Sequence, residues 1–395
     1  MRRQPPAHSP LTAAALARAA LRAATRWDAE SRLRELLAAG YGAGRVLLLD
    51  SGTTALRRAI ELAAARAGRD AIVAIPAFTC YDVASAAVAA GRPVTLFDID
   101  PETLGPDPDS LRRALADGAR VVVITPLYGI PVDWDGVAAA AAEAGAILIE
   151  DAAQGHGATW RGRPLGGFGP LAVLSFGRGK GWTGGRGGAV LLREGFAEGD
   201  APPAANTAPP PSGLGTLAVS AAQWMLGRPS LYALPASLPW LGLGETRYHE
   251  CGPPRGLPRA AAALLLATHA AAQREAAVRR DAARQYLAAL DAEPHVACVR
   301  PAPGAEPGYL RFPLRVRGGI HGLGDAHASL RLGIAPSYPT PLAALGPLVR
   351  LLVGSQRVWP GAETLARDLI TLPTHSRVSA KERDRLIRHV RAARA

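Results

Sequence analysis

Between residues 45 and 192 the chain alternates short aliphatic runs with longer stretches of helical pattern. The runs are RVLLLD (45–50), AIVAI (71–75), PVTLF (93–97), RVVVIT (120–125), AILIE (146–150), LAVLSF (171–176) and GAVLL (188–192). Nearly unbroken Val, Ile and Leu mark strands covered on both faces, and their alternation with helices is the rhythm of a parallel sheet. The pattern predicts an α/β fold with a mostly parallel sheet at the core of a large domain.

Residues 201–212, APPAANTAPPPS, break that rhythm and are followed by an apolar stretch, 213–244. Arg228, Pro229, Pro235 and Pro239 interrupt it, so no apolar helix of about twenty residues is available to span a membrane. The 201–245 segment reads as a packed insertion or dimer-contact element, with interfacial membrane contact as the alternative. After Pro258 a long helical pattern follows, its apolar first half suited to burial and its Arg-rich second half to a solvated face. Beyond residue 290 come a strand in YLRFPLRV (309–316) and a closing helix, with Ser379, Lys381 and Glu382 at its N-cap turn. The expected division is residues 1–255 for an opening helix and large domain, and 256–395 for a linking helix and smaller C-terminal domain.

With 395 residues, 48% of them hydrophobic, the chain can bury a sizeable core. The formal charge of +12 raises nucleic acid as a partner. The arginines are spread over the whole length without a basic block, interleaved aromatics or a zinc-finger motif, so a basic surface suited to an anionic small substrate is the reading preferred. Cys80, Cys251 and Cys298 lie far apart, which indicates neither a disulfide framework nor a zinc site and fits a reducing cytoplasm. The Arg- and Ala-rich amino terminus imitates a transit peptide but lacks a secretory apolar region, and reads as an amphipathic helix.

The scarce residue is lysine: only Lys180 and Lys381 occur. Arginine can replace lysine wherever a positive charge suffices, but not where an amine must lose its proton and attack a carbonyl. Lys381 sits in a helix-cap context, whereas Lys180 sits in LSFGRGKGWTGGRGG, a glycine run that follows an aliphatic strand. The alternative is a lysine on a glycine-rich surface loop. A P-loop is excluded because Gly181 follows the lysine. GKGWTG has dinucleotide spacing but leads into a strand pattern, not a helix.

Asp151 and Gln154 follow the end of the AILIE strand, where ligands bind in open α/β sheets. A carboxylate there can pair with a pyridinium nitrogen, or simply cap a turn. Ser51, Thr53 and Thr54 lie in a strand–turn–helix pattern, near the positive end of a helix dipole, where a phosphate binds or the helix is merely capped. His156 reads as a loop histidine satisfied by hydrogen bonds, and no metal is assigned.

SGTTAL, PAFTCYD, FDIDPETL, EDAAQGHGA and SFGRGK followed by GGRGGAV together resemble the DegT/DnrJ/EryC1/StrS family of pyridoxal-phosphate sugar aminotransferases, in the same order and at similar spacing. WPGAETLARDLITLPTH looks like the family's closing segment. The resemblance implies the type I fold of pyridoxal-phosphate enzymes. It implies that Lys180 holds pyridoxal 5'-phosphate as a Schiff base, that Asp151 binds the pyridinium nitrogen and that Gln154 supports the ring or its hydroxyl. It assigns Ser175, Thr53 and Thr54 to the phosphate. It further implies a homodimer with shared sites, an amino donor such as L-glutamate and a nucleotide-linked keto-sugar acceptor, in polysaccharide or secondary-metabolite biosynthesis.

The chain departs from the family in several places. Cys80 stands where an aromatic usually stacks on the ring; Tyr81 is adjacent, but in an extended segment it would point the other way. Pro126 and Ile130 replace the usual His and Gln, and GETRYHE (244–250), with Arg247, is an imperfect match to the partner-subunit motif. A lyase or dehydratase, or a cofactor-binding protein without turnover, are the rival readings. Lys180 argues against the dehydratase branch, which typically carries histidine there.

Overall fold

The computed structural model describes residues 3–25, 27–68, 70–193, 195–196, 210, 212–233 and 246–393. The seven aliphatic runs all form strands of one sheet: β1 (Arg45–Leu49), β2 (Ile72–Pro76), β3 (Val94–Phe97), β4 (Ala119–Ile124), β5 (Ile147–Asp151), β8 (Leu171–Ser175) and β9 (Gly188–Leu192). Between β5 and β8, the short strands β6 (Thr159–Trp160) and β7 (Arg163–Pro164) form a hairpin. The large sheet has the order β1-β9-β8-β5-β4-β2-β3. The β8-β5-β4-β2-β3 pairings are parallel, and β9 runs antiparallel to both its neighbours. The sheet is therefore mostly parallel, as expected.

Helices α1 (Ala13–Ala24), α2 (Ala29–Tyr41), α3 (Gly52–Ala67), α4 (Tyr81–Ala90), α5 (Pro108–Ala116) and α6 (Trp134–Glu143) precede or connect these strands. Their starts are read from short polar residues: Thr12, Asp28, Ser51, Asp107 and Asp133 each accept a backbone N–H of the first turn. One buried aliphatic cluster includes α1, α2 and residues 261–265; another includes α3 and α4. Strands covered on both faces need the unbroken aliphatic runs seen in the sequence.

Helix α7 (Gly213–Leu226) starts at Ser212 and packs on α1 and on the long helix α8 (Arg259–Leu290). No helix among the described residues is long and apolar enough to cross a membrane. Most of the 201–212 break, and 234–244 of the apolar stretch, lie outside the described residues.

The C-terminal part builds a four-stranded sheet, β10-β12-β14-β13, from β10 (Val296–Cys298), β12 (Phe312–Val316), β13 (Ala335–Pro336) and β14 (Leu369–Leu372). Strand β11 (Ala305–Glu306) leaves it to pair with β6. The closing helix, Ala380–Arg391, opens on a capping box in which Ser379 and Glu382 bond each other's backbone N–H. Helix α8 joins the two parts: Ala261–Ala272 lie in the core of the large sheet, and Ala282–Leu290 in a third core with β12 and β14. The solvated face expected for its Arg-rich half holds for Arg274 and Arg284 but not for Arg279, which is 1% exposed.

Candidate active site

The parallel strands end on one side of the sheet, and a cavity opens there. β2 leads through Thr79 and Cys80 into α4, β4 is followed by Thr125 and Pro126, β5 ends at Asp151, and β8 ends at Ser175, five residues before Lys180. The cavity brings Lys180, Asp151, Gln154, Ser175 and Thr53 together, although they are spread over more than a hundred residues of sequence.

The amino end of α3 forms one wall. Ser51 caps the helix by accepting the Thr54 N–H at 3.1 Å, and Gly52 and Thr53 line the cavity. A Cβ on Gly52 would lie 2.6 Å from both Cβ and Oγ of Ser175, so only a glycine lets the helix end approach β8 this closely. Unpaired N–H groups at a helix end, with Thr53 and Ser175 beside them, suit a phosphate. Thr54 does not join them. Its hydroxyl donates to Asp50 Oδ1 at 2.9 Å beneath the helix, and it is absent from the cavity wall. The structure thus corrects the expectation for Thr54: its hydroxyl is committed to holding the turn.

Across the cavity, Asp151 Oδ1 accepts the Ala153 N–H at 3.1 Å. Burial pushes its carboxyl up to about 6, against the opposing pull of the Lys180 charge. Gln154 is held at both ends of its amide: Oε1 accepts the Tyr128 N–H at 2.8 Å, and Nε2 donates to the Tyr338 hydroxyl at 3.0 Å. Tyr128 holds a left-handed backbone, φ 56°, and its carbonyl accepts from Leu310 in the C-terminal part. Tyr128 and Tyr338 had no local signal in the sequence, because contacts between distant segments place them. Thr125 Oγ1 is buried at the wall with no hydrogen-bond partner among the described residues.

Lys180 stands in an irregular glycine loop anchored from three sides. The Gly179 N–H donates to Ser9 Oγ at 3.0 Å, and the Trp182 indole N–H donates to the Leu265 carbonyl at 2.9 Å. Beneath Gly181 lies Arg279, donating from Nε to the Gly308 carbonyl at 3.2 Å and from Nη2 to the His156 carbonyl at 3.0 Å. Burial lowers Arg279 to about 10, with Glu275 opposing. Both ring nitrogens of His156 are buried, burial and then Arg279 drive its pKa down to about 3, and the Ala272 backbone opposes them weakly. The loop histidine expected at this position is a neutral ring beside the Ala272 backbone, 5.6 Å from Trp182.

Cys80 and Tyr81 do not lie in an extended segment: Cys80 is the N-cap of α4 and Tyr81 its first residue. Tyr81 turns its hydroxyl to Thr340 Oγ1 at 2.6 Å, while Cys80 lines the cavity. Pro126 lines the cavity too, and Ile130 is buried. The stretch with Arg247 lies beside α4, where the His249 carbonyl accepts from Ser85.

An amine, a carboxylate and a helix end thus converge on one cavity. Residues 14–199 match the DegT/DnrJ/EryC1/StrS aminotransferase family. These residues belong to that family. Within it, the chain is 35% identical over 161 residues to a 3-amino-5-hydroxybenzoate synthase of Amycolatopsis mediterranei, covering 41% of each chain. It is also 35% identical over 164 residues to an L-glutamine:2-deoxy-scyllo-inosose aminotransferase of Streptoalloteichus tenebrarius, covering 42% of this chain and 38% of that one. The chain thus spans about two fifths of the length of the curated relatives it matches. In fold the likeness is end to end. A Streptococcus pneumoniae protein described as a sugar aminotransferase, solved in its PLP-form, superposes with a TM-score of 0.75 at 19% identity, covering 99% of this chain and 98% of that one.

Proposed function

We propose that this protein is a pyridoxal-phosphate-dependent aminotransferase that moves an amino group from an amino acid to the keto group of a sugar or cyclitol. The observation carrying this reading is the convergence of Lys180, Asp151 and the Gly52–Thr53–Ser175 wall on one cavity. These residues fit the cofactor: the bare Cα of Gly52 leaves the helix end open beside Ser175, and the Thr125 hydroxyl, unpartnered among the described residues, waits at the wall.

When bound, pyridoxal phosphate supplies an electron sink for the carbanion at the substrate carbon. The α3 amino end, Thr53 and Ser175 bind its phosphate. Asp151 holds a proton on the ring nitrogen; a cation there compensates the burial that raises its carboxyl. Gln154, fixed by Tyr128 and Tyr338, supports the ring from the side. Lys180 Nζ anchors the cofactor and, once displaced by an amino substrate, carries the proton to and from the substrate carbon.

The resemblance noted in the sequence suggests L-glutamate and a nucleotide-linked keto sugar; the relatives' names extend the donors to L-glutamine and the acceptors to a cyclitol ketone. A homodimer with shared sites and a cytoplasmic location belong to the same proposal. The test is the visible absorbance of wild-type and Lys180→Ala protein with pyridoxal phosphate, before and after adding L-glutamate or L-glutamine. A lysine-dependent band that either donor converts is expected. Loss of lysine dependence overturns the reading, and a band that no amino donor converts points to a lyase or a binding protein.

A further inference from the structure

The chain carries a formal charge of +12, yet the part of the cavity wall that its own described residues form has the opposite balance. Among its described lining residues Lys180 is the one cation, Asp82 and Asp151 are the two anions, and there is no arginine. In the aminotransferase reading, on which this inference rests, Lys180 and Asp151 are both committed to the cofactor. Asp82 is left over.

It lies in the first turn of α4, exposed to solvent, with Oδ2 3.6 Å from Cys80 Sγ. Among the described residues no arginine or lysine forms an ion pair with it. Its charge reaches inward: it helps to raise both the Cys80 thiol and the Asp151 carboxyl, burial being the larger cause in each. The anionic substrate expected from overall charge is thus not what this wall favours.

We propose that Asp82 is a specificity-determining residue that admits substrates with an uncharged side group, L-glutamine over L-glutamate as donor and a phosphate-free polyhydroxylated ketone over a nucleoside-diphosphate-linked one as acceptor. Each half-reaction exchanges an amino group and a keto oxygen at one substrate carbon, so donor and acceptor take turns in the same place. One carboxylate therefore acts on both. It accepts a hydrogen bond from an amide NH2 or a hydroxyl, and it repels a second anion at short range. Specificity of this kind comes as much from the repulsion as from the bond formed.

The donor half-reaction of the holoenzyme tests the proposal without knowledge of the acceptor. The second-order rate constant for conversion of the cofactor band is measured with L-glutamine and with L-glutamate, in wild type, Asp82→Asn and Asp82→Ser. Wild type should favour L-glutamine by about tenfold or more, equivalent to about 1.4 kcal/mol. In both variants the ratio should fall to within about threefold, chiefly because L-glutamate improves. An unchanged ratio in the variants, or a wild-type preference for L-glutamate, overturns the proposal. If neither donor converts the wild-type band, the aminotransferase reading falls and this inference with it. Retention of the Lys180-dependent band shows that each variant is folded and loaded.

Discussion

The guanidinium of Arg279 fills the space that a side chain at Gly181 would need: a Cβ on Gly181 would lie 2.9 Å from both Nη1 and Nη2. Arg279 also bonds the carbonyls of His156 and Gly308, so one buried side chain braces three backbone segments around the lysine loop. Gly181→Ala must push the guanidinium or the loop aside, and overpacking of this kind costs about 1–3 kcal/mol. Affinity for pyridoxal phosphate, read by titration of the lysine-dependent band, should fall about tenfold or more. Arg279→Lys should not restore it in place of arginine, because an ammonium cannot reproduce the planar fork.

A second glycine controls the phosphate end. In Gly52→Ala the new methyl would meet Ser175 at 2.6 Å, and the helix end would have to withdraw from β8. Inorganic phosphate and pyridoxal phosphate should both bind about tenfold more weakly, whereas pyridoxal without its phosphate should lose much less. Equal losses for pyridoxal and its phosphate would place the damage elsewhere.

Asp151 opposes stability to function. Its folded carboxyl is raised from its ordinary value to about 6, so the cofactor-free protein is penalised as pH rises from about 4 to about 6 and carries the full penalty above that. Cofactor-free Asp151→Asn should therefore unfold at a higher temperature than wild type at pH 8, and at nearly the same temperature near pH 3.5. Its affinity for pyridoxal phosphate should fall, since an amide cannot hold a ring proton by charge. Calorimetry at the two pH values, with and without cofactor, separates the effects.

His8, His156 and His375 all have pKa values lowered, burial being the first cause in each; His8 drops to about 2 and His156 to about 3. Their contribution to stability is present above about pH 6.5 and is lost progressively as pH falls below it. Buried carboxyls change stability in the opposite sense, Glu150 being raised to about 8 and Asp151 to about 6, so the histidine part is read as a difference: the unfolding temperature of wild type relative to His8→Gln should be constant from pH 8 to 7 and fall below pH 6.5. His375 Nε2 lies 2.8 Å from the Pro5 carbonyl, so the 3–9 stretch should lose protection against hydrogen exchange early in that descent. His8→Gln should reduce the slope.

Much of this fold was readable in the chain because its signals are local. Seven aliphatic runs gave seven strands, Ser379 and Glu382 gave a capping box, and the shortage of lysine singled out Lys180. What escaped depends on distant segments. The antiparallel direction of β9 leaves no mark on a run of Gly, Ala, Val and Leu. Thr54 resembles a phosphate ligand until Asp50 takes its hydroxyl, and Tyr81 was placed in an extended segment that is in fact the first turn of α4. Arg279 belonged to an arginine-rich helix face that pattern assigns to solvent; the carbonyls of His156 and Gly308 and the charge of Glu275 make its burial tolerable.

Helix α8 runs 32 residues, about 48 Å, with neither proline nor glycine inside it. One end is embedded in the core of the large sheet and the other in the C-terminal core, and Arg279 sits between them. Such a helix is a stiff lever rather than a hinge. Any swing of the C-terminal sheet over the cavity is transmitted along it as a twist or shift at Arg279, and so to the carbonyls and the glycine beside Lys180. A substrate that draws the two parts together would thereby adjust the height of the amine that acts on it.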